Sequence, residues 1–98
     1  MGINTFGYEE IAVSNVAVGL TPSKIDPFNT GRAVAFIIVK GAAVCFRYDG
    51  GMPTNATANY LEPGDTLLLN NIAKLKNFLA ISRDGGSALL GVNYEWEV

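Results

Sequence analysis

The pattern of apolar and polar positions is clearest in the middle of the chain. Residues 32–40 are apolar at both alternating positions through Phe36-Ile37-Ile38-Val39, which predicts a strand covered on both faces or placed at a subunit contact. After Gly41, apolar residues alternate with other types over residues 43–48, as in a half-buried strand. Because Arg47 would be costly to bury alone, the face that carries Val44 is predicted to point into the core.

The first third of the sequence has a weaker pattern. Residues Met1 to Gly7 are predicted to form a loose arm. Residues 8–18 are β-branched and small, with a bend or bulge expected at Ser14-Asn15, so they predict one bent strand or two short ones. Residues 19–31 are rich in Pro, Gly, Thr, Ser and Asn and predict a long ordered loop, with Ile25 and Phe28 as apolar plugs.

Turn residues divide the second half at short intervals. Asp49 to Thr54 predicts a tight turn, and Glu62-Pro63-Gly64-Asp65 has the residues of a type II turn. A short strand is expected at residues 66–70, and the next is expected at Leu75 to Arg83 with no helix before it.

Asp84-Gly85-Gly86-Ser87 predicts a hairpin turn into residues 88–96, which alternate cleanly. Short strands separated by turns predict an all-β fold, either an antiparallel β-sandwich or a jelly-roll-like barrel. The 98 residues are expected to form a single domain.

Composition adds an expectation of assembly. Charged residues make up 16% of the sequence and hydrophobic residues 49%, whereas an ordinary soluble domain is about 25% charged. A domain of this size therefore has extensive uncharged surface, which suits a homo-oligomer whose faces are covered by other copies or by a partner. The alternative is a sparsely charged monomer. The predicted self-association face consists of Ile37, Val39, Leu79 and Leu89.

Charge and hydropathy also exclude classes of partner. A net charge of −2 argues against nucleic acid. No apolar run reaches the roughly 18 residues that cross a bilayer, so no membrane partner is expected. The N-terminal residues do not have the pattern of a signal peptide, which makes the cytoplasm of the producing cell the default site of synthesis.

The sequence predicts no catalytic, cofactor or metal site. It has no histidine and one cysteine, Cys45, so the usual base for a nucleophile is missing and Cys45 is expected to be a small buried hydrophobe. Asp49, Glu62 and Asp65 have oxygen ligands, but their spacing matches no known metal loop. We therefore expect a protein that is not an enzyme.

Aromatic residues offer an alternative role in carbohydrate binding. Tyr48, Tyr94 and Trp96 are expected to fill the core, whereas Tyr60 follows an irregular stretch and is expected to be exposed. A carbohydrate-binding module would use Tyr60 together with the polar loop before it. The ligand loop in this alternative contains Asp49, Asn55, Thr57 and Tyr60.

Part of the sequence resembles a known group of proteins. Residues 44–50, VCFRYDG, followed by Met52-Pro53-Thr54 and Leu61-Glu62-Pro63-Gly64-Asp65, are similar to a pattern in small β-rich virion proteins of tailed bacteriophages and prophages. The similarity extends from about Val39 to Tyr94. It implies a capsid decoration subunit or another head or tail component, located in the virion and bound to other virion proteins. The Asp-Gly and Pro-Thr part also resembles a turn in accessory β-sandwich domains of chitin-degrading enzymes.

Overall fold

A computed structural model of the chain describes residues 3–25, 32–54, 56–83 and 85–97. Its regular elements are mostly β-strands, joined by short connections. In chain order, the described elements are β1 (Ile3–Val13), a 3-10 helix (Pro22–Lys24), β2 (Ala33–Lys40), β3 (Val44–Arg47), β4 (Asn59–Leu61), β5 (Thr66–Leu69), α1 (Ile72–Asn77), β6 (Leu79–Ser82) and β7 (Ala88–Glu97).

The strands form two antiparallel sheets. The large sheet has the order β1-β7-β2-β5, and the small sheet has the order β4-β3-β6. Beyond the end of β1, Val18 forms an isolated antiparallel bridge with Ala80 of β6, and the two residues exchange backbone hydrogen bonds of 3.0 and 2.9 Å. The bend predicted at Ser14-Asn15 is therefore where the chain leaves the large sheet for the small one.

The pairing of these segments has the nested order of a jelly roll. β1 pairs with β7, the Val18 segment with β6, β2 with β5, and β3 with β4. The outermost pair in the chain thus encloses the next pair, and the successive pairs lie alternately in the large and the small sheet. Within the described residues, the antiparallel all-β prediction is confirmed, and the strand order is that of the double-sheet jelly roll.

The core lies between the sheets. On β2 and β7 every second side chain points inward and is almost completely buried, and residues of β3 and β6 cover it from the other side. The larger fully buried side chains include Ile37, Val39, Val44, Leu69, Leu75, Phe78, Leu90, Val92 and Tyr94.

One end of this core contains a polar cluster. The hydroxyl of buried Tyr94 donates a hydrogen bond to the carboxylate of Glu9, and Thr21 Oγ1 donates to the other oxygen of that carboxylate at 2.6 Å. The Tyr94 hydroxyl thereby satisfies its hydrogen-bonding requirement inside the protein. The same carboxylate ties the segment after β1 to the large sheet.

Several expectations about local structure are wrong. The loose arm over residues 1–7 is replaced from Ile3 onward by β1, which pairs with β7, while Met1 and Gly2 lie outside the described residues. Residues 72–77 form α1, because the Asn71 side chain caps it by accepting a hydrogen bond from the Lys74 N–H at 2.9 Å. The predicted strand from Leu75 consequently begins at Leu79.

The predicted turns have mixed outcomes. The turn at Glu62 to Asp65 has the expected geometry, with Gly64 at a φ of +93° and a hydrogen bond of 2.9 Å from Asp65 N to Glu62 O. Asp84 lies outside the described residues, and the predicted hairpin into β7 is wrong, since β6 lies in the small sheet and β7 in the large one. Of the predicted apolar plugs, Ile25 packs against the core and Phe28 lies outside the described residues.

Candidate functional site

The surface of the large sheet that faces away from the core carries a band of apolar side chains, which we call the outer face. Phe36 of β2 lies opposite Leu68 of β5, and Ile38 lies opposite Thr66. Leu68 is 54% exposed and Leu89, on β7, is 39% exposed, while Phe36 and Ile38 are half-buried. Side chains on neighbouring strands of one face lie within contact distance, so Phe36, Ile38 and Leu68 form a continuous apolar surface.

A polar cluster lies on the β1 side of the outer face. Lys40 Nζ lies 2.7 Å from Glu10 Oε2 and 3.3 Å from the hydroxyl of Tyr8. The cluster crosses above Gly91, where an added Cβ would lie 3.1 Å from the Tyr8 hydroxyl and 3.3 Å from Lys40 Cε. The hydrogen bond from Lys40 lowers the pKa of Glu10, and the hydrogen bond to Glu10 raises the pKa of Lys40.

The structure corrects the predicted self-association face. Ile37 and Val39 are 0% and 1% exposed and belong to the core, so the outward residues of β2 are Phe36 and Ile38. Leu89 does lie on the outer face. Leu79 is half-buried on β6 of the small sheet, so the four predicted residues do not form one surface.

The loop before β4 is held by an ion pair. Arg47 Nε and Nη2 donate to the two carboxylate oxygens of Asp49 at 3.0 and 2.6 Å, and the Gly51 N–H donates to the same carboxylate at 3.0 Å. The hydrogen bonds from Arg47, and to a smaller extent the one from Gly51, lower the pKa of Asp49 to about 2. Asp49 therefore fixes the loop, and its oxygens already have partners.

The other residues of the alternative ligand loop differ in their surroundings. Asn55 lies outside the described residues. The Thr57 N–H donates to Thr54 Oγ1 at 2.9 Å, which closes a local turn. Tyr60 is 49% exposed, as predicted, and the Arg83 guanidinium lies 5.7 Å from the centre of its ring. Arg83 also forms an ion pair of 3.1 Å with Glu62.

A groove lies beside this cluster on the small-sheet side of the molecule. It has a volume of about 520 Å³ and is open to solvent, and Pro53 and Thr54 of the loop form part of its lining. The rest of the lining is Asn15, Ile81, Ser82, Arg83 and Gly85. Arg83 thus belongs both to the groove and to the pair with Tyr60.

The structure also places the remaining aromatic candidates. Tyr94 is fully buried, as predicted, but Tyr48 is 36% exposed, with the Lys74 ammonium 5.2 Å from the centre of its ring. The side chain of Trp96 lies outside the described ones. Cys45 is fully buried, which agrees with its predicted role as a small hydrophobe.

Within the described residues, no three His, Cys, Asp or Glu side chains gather as a metal-binding group. No helix in the described ranges is both long and apolar enough to cross a membrane.

Comparison of the chain with protein families, with curated proteins and with solved structures finds no match. The geometry of the outer face and of the Tyr60 region therefore carries the functional argument.

Some residues of both surfaces were not predicted from the sequence. Phe36, Ile38 and Leu68 were not assigned to the outer face, since β2 is apolar at every position from Ala33 to Val39 and the pattern does not show which alternate side chains point outward. Arg83 was missed because its contacts depend on the order β4-β3-β6, which brings it near Glu62 and Tyr60.

Proposed function

We propose that the protein is a non-enzymatic structural component of the virion of a tailed bacteriophage or prophage, such as a capsid decoration subunit or another head or tail protein. It acts by associating with copies of itself and with other virion proteins. The support is twofold: the resemblance of residues 39–94, and a jelly-roll topology, which occurs among viral capsid domains. The likeness to capsid domains is one of fold.

The observation that carries the proposal is the exposed apolar band on the outer face. Leu68 is more than half exposed beside Phe36 and Ile38, and Leu89 is exposed on the same face. Burial of apolar surface contributes roughly 25 cal/mol per Å², and a standard interface buries about 1,600 Å² in total. Removal of this band from water therefore favours association without requiring many ion pairs.

The self-association part of the proposal is tested by the oligomeric state. Sedimentation velocity at micromolar to submillimolar concentration should detect a multimer of the wild-type chain. Leu68→Asp should weaken that multimer, because it places a charge in the apolar band. Met52→Asp is the matched control, since Met52 is 61% exposed but lies in the loop before β4. A wild-type chain that sediments as a monomer throughout this range would contradict self-association.

The location in the virion needs a separate test. Particles induced from the host that carries the gene would be purified on a density gradient and analysed by mass spectrometry. The protein should copurify with the major capsid protein at a fixed ratio across the particle peak. Its absence from intact particles would refute the virion assignment, whatever the oligomeric state of the isolated chain.

A second candidate function is carbohydrate binding by the Tyr60 region. The favouring observation is the cluster of Tyr60, Arg83 and Glu62 beside the groove, in which an exposed aromatic ring adjoins hydrogen-bond donors and acceptors. Aromatic rings that stack on sugars, together with a few polar groups, are typical of such sites.

Calorimetric titration with soluble β-linked oligosaccharides tests this candidate. Tyr60→Ala should abolish the heat of binding, and Tyr8→Ala should preserve it, since Tyr8 is equally exposed but lies on the large sheet. Wild-type protein that gives no heat with any member of the panel removes this candidate.

A further inference from the structure

One edge of the large sheet is a long strand that, within the described residues, pairs with another strand on one side only. β1 is the terminal strand of the order β1-β7-β2-β5 and spans Ile3–Val13. Within the described residues, its backbone hydrogen bonds go to β7 only, and none of the other backbone bonds involves residues 3–13. Alternate residues of an edge strand direct their N–H and C=O groups away from the sheet, so this edge has unpaired donors and acceptors.

Part of this edge is regular enough to act as a template. The register with β7 shifts between Thr5 and Gly7, and from Gly7 to Val13 it is continuous. Neither proline nor lysine, which commonly block edge pairing, occurs in β1. A regular edge of seven residues is long enough for an added strand to pair along it.

We propose that a second copy of this chain pairs with the edge, β1 against β1 in antiparallel orientation, with the two-fold axis at Glu10. This proposal rests on the proposed self-assembly and specifies one of its contacts. Glu10 is the midpoint of the regular stretch, so an axis there pairs all of residues 7–13 with their counterparts. The result is a continuous sheet of eight strands across the dimer, four from each copy.

The side chains of the outer face fit this register. An axis at Glu10 places Tyr8 opposite Ala12 of the second copy. Tyr8 is a large side chain that is 50% exposed, and Ala12 is small and exposed. Leu89, 39% exposed, is the β7 neighbour of Ala12. The Tyr8 hydroxyl is held above Gly91 of its own copy, beside Lys40, so the ring leans away from the edge and does not obstruct the approach of the small Ala12 of the second copy on this face.

Charge does not oppose this arrangement. The two Glu10 side chains meet at the axis, but Lys40 lies 2.7 Å from its own Glu10 in each copy. The axis consequently brings together two neutral pairs. A register centred one or two residues earlier would bring the bulge at Thr5 and Gly7 into the paired region, where it interrupts the ladder.

The size of the contact limits its strength. Pairing of two seven-residue edges buries less than the roughly 1,200–2,000 Å² of a standard stable interface. The dimer is therefore expected to be reversible when isolated. It places the two outer faces side by side in one plane, which doubles the apolar surface that a larger lattice can cover.

A cysteine placed on the axis gives the sharpest test. Directly opposite residues of antiparallel strands have Cα atoms about 4.5 or 5.5 Å apart, and both distances lie within the range of about 4.4–6.8 Å that a disulfide accepts. Glu10→Cys should therefore form a covalent dimer under mild oxidation. The single native cysteine, Cys45, is fully buried and does not compete.

Thr66→Cys is the matched control, because Thr66 is exposed on β5 at the opposite edge of the same sheet. It should dimerise no faster than random collision allows. Equal rates of crosslinking for Glu10→Cys and Thr66→Cys in protein of native circular dichroism would overturn the proposal.

Hydrogen exchange on the unmodified chain provides a readout independent of substitution. Amides of residues 7–13 should become more protected as the protein concentration rises, while those of β5 should not change.

Ala12→Lys should raise the dissociation constant of the dimer by about tenfold or more, because the longer charged side chain lies opposite Tyr8 of the other copy. Thr66→Lys is its control and should change the dissociation constant by less than about twofold.

These outcomes separate this proposal from the proposed function. A multimer whose β1 amides show no added protection retains self-assembly and refutes the edge contact. A strict monomer that is nonetheless found in particles refutes the edge contact and retains the virion assignment.

Discussion

The guanidinium group of Arg47 lies against the backbone of Gly51, so closely that a Cβ atom on Gly51 would lie 2.5 Å from Arg47 Cζ. Arg47 is held there by its two hydrogen bonds to Asp49, which also accepts the N–H of Gly51. The absence of a side chain at Gly51 thus permits the contact that fixes the loop between β3 and β4.

Replacement of this glycine should have a small effect on stability. In Gly51→Ala the new methyl group displaces only the end of the flexible Arg47 side chain, and the ion pair that is lost is exposed and screened by solvent, so it contributes little to stability. Gly19→Ala is the informative contrast, because its Cβ would lie 2.8 Å from the backbone oxygen of Phe78, which cannot move independently. We expect it to lower the free energy of unfolding by about 2 kcal/mol. Urea denaturation measures the free energy of unfolding of both variants. A larger loss of stability in Gly51→Ala than in Gly19→Ala would contradict the contacts assigned to the two glycines.

The ion pair at Asp49 predicts a change in stability in acid. The pKa of Asp49 is about 2 in the folded chain, below its ordinary value of 3.8. Because the folded-state pKa is depressed, the contribution of Asp49 is present above pH 3.8 and disappears as the pH falls toward 2. Asp49→Asn should therefore flatten the dependence of the melting temperature on pH in this window, and Arg47→Gln should do the same. If both variants show the same dependence of melting temperature on pH as the wild-type chain, the ion pair of Arg47 and Asp49 does not persist in solution.

The buried hydroxyl of Tyr94 predicts a response in base. Burial, and then the hydrogen bond to Glu9, raise the pKa of Tyr94 above its ordinary value of 10.0. Since the folded state holds the neutral form, stability is fully present below pH 10 and is lost as the pH rises beyond it. Tyr94→Phe should weaken this alkaline loss.

At neutral pH the same substitution should lower the free energy of unfolding by about 1–2 kcal/mol, because the carboxylate of Glu9 loses a donor. Tyr48→Phe is the control, as Tyr48 is partly exposed. Equal behaviour of the two variants in base would contradict the role assigned to the Tyr94 hydroxyl.

Some parts of the fold follow from residue types alone. Gly64 supplies the positive φ that its turn requires, and Pro63 precedes it with a compatible φ, so the turn was predictable from four residues. Asp84 to Ser87 has equally strong turn chemistry, but such chemistry does not specify which strands the turn connects. In this fold it connects the two sheets, because β7 pairs with β1 and β2.

The helix α1 was missed although its signal is present. Asn71 is a favoured N-cap residue, and Ile72 and Leu75 have the spacing of one helix face. The helix has only six residues, so its stability comes from the burial of Leu75 in the core and not from intrinsic propensity. Tertiary contacts of this kind are not visible in a local pattern.

The candidate surfaces were predictable only in part, for the same reason. Tyr60 was correctly expected to be exposed because an irregular stretch precedes it. The side of β2 was assigned wrongly, since a shift of one residue exchanges the two faces of a strand and all four central residues are apolar. Only the register with β5 and β7 determines that Phe36 and Ile38 point outward.

Adjacent isoleucines on β2 give a direct test of this assignment. Ile37 is fully buried, so Ile37→Thr places a hydroxyl in the core and should lower the free energy of unfolding by roughly 2–4 kcal/mol. Ile38 is half-buried on the outer face, so Ile38→Thr retains a β-branched side chain there and should lower it by about 1 kcal/mol or less. Sedimentation should nevertheless show that Ile38→Thr weakens the multimer, and that the loss of association free energy exceeds the small loss of folding free energy. The opposite order of stabilities in urea would mean that β2 presents Ile37 to the outer face, and the surface proposed for assembly would then have to be redrawn around Ile37 and Val39.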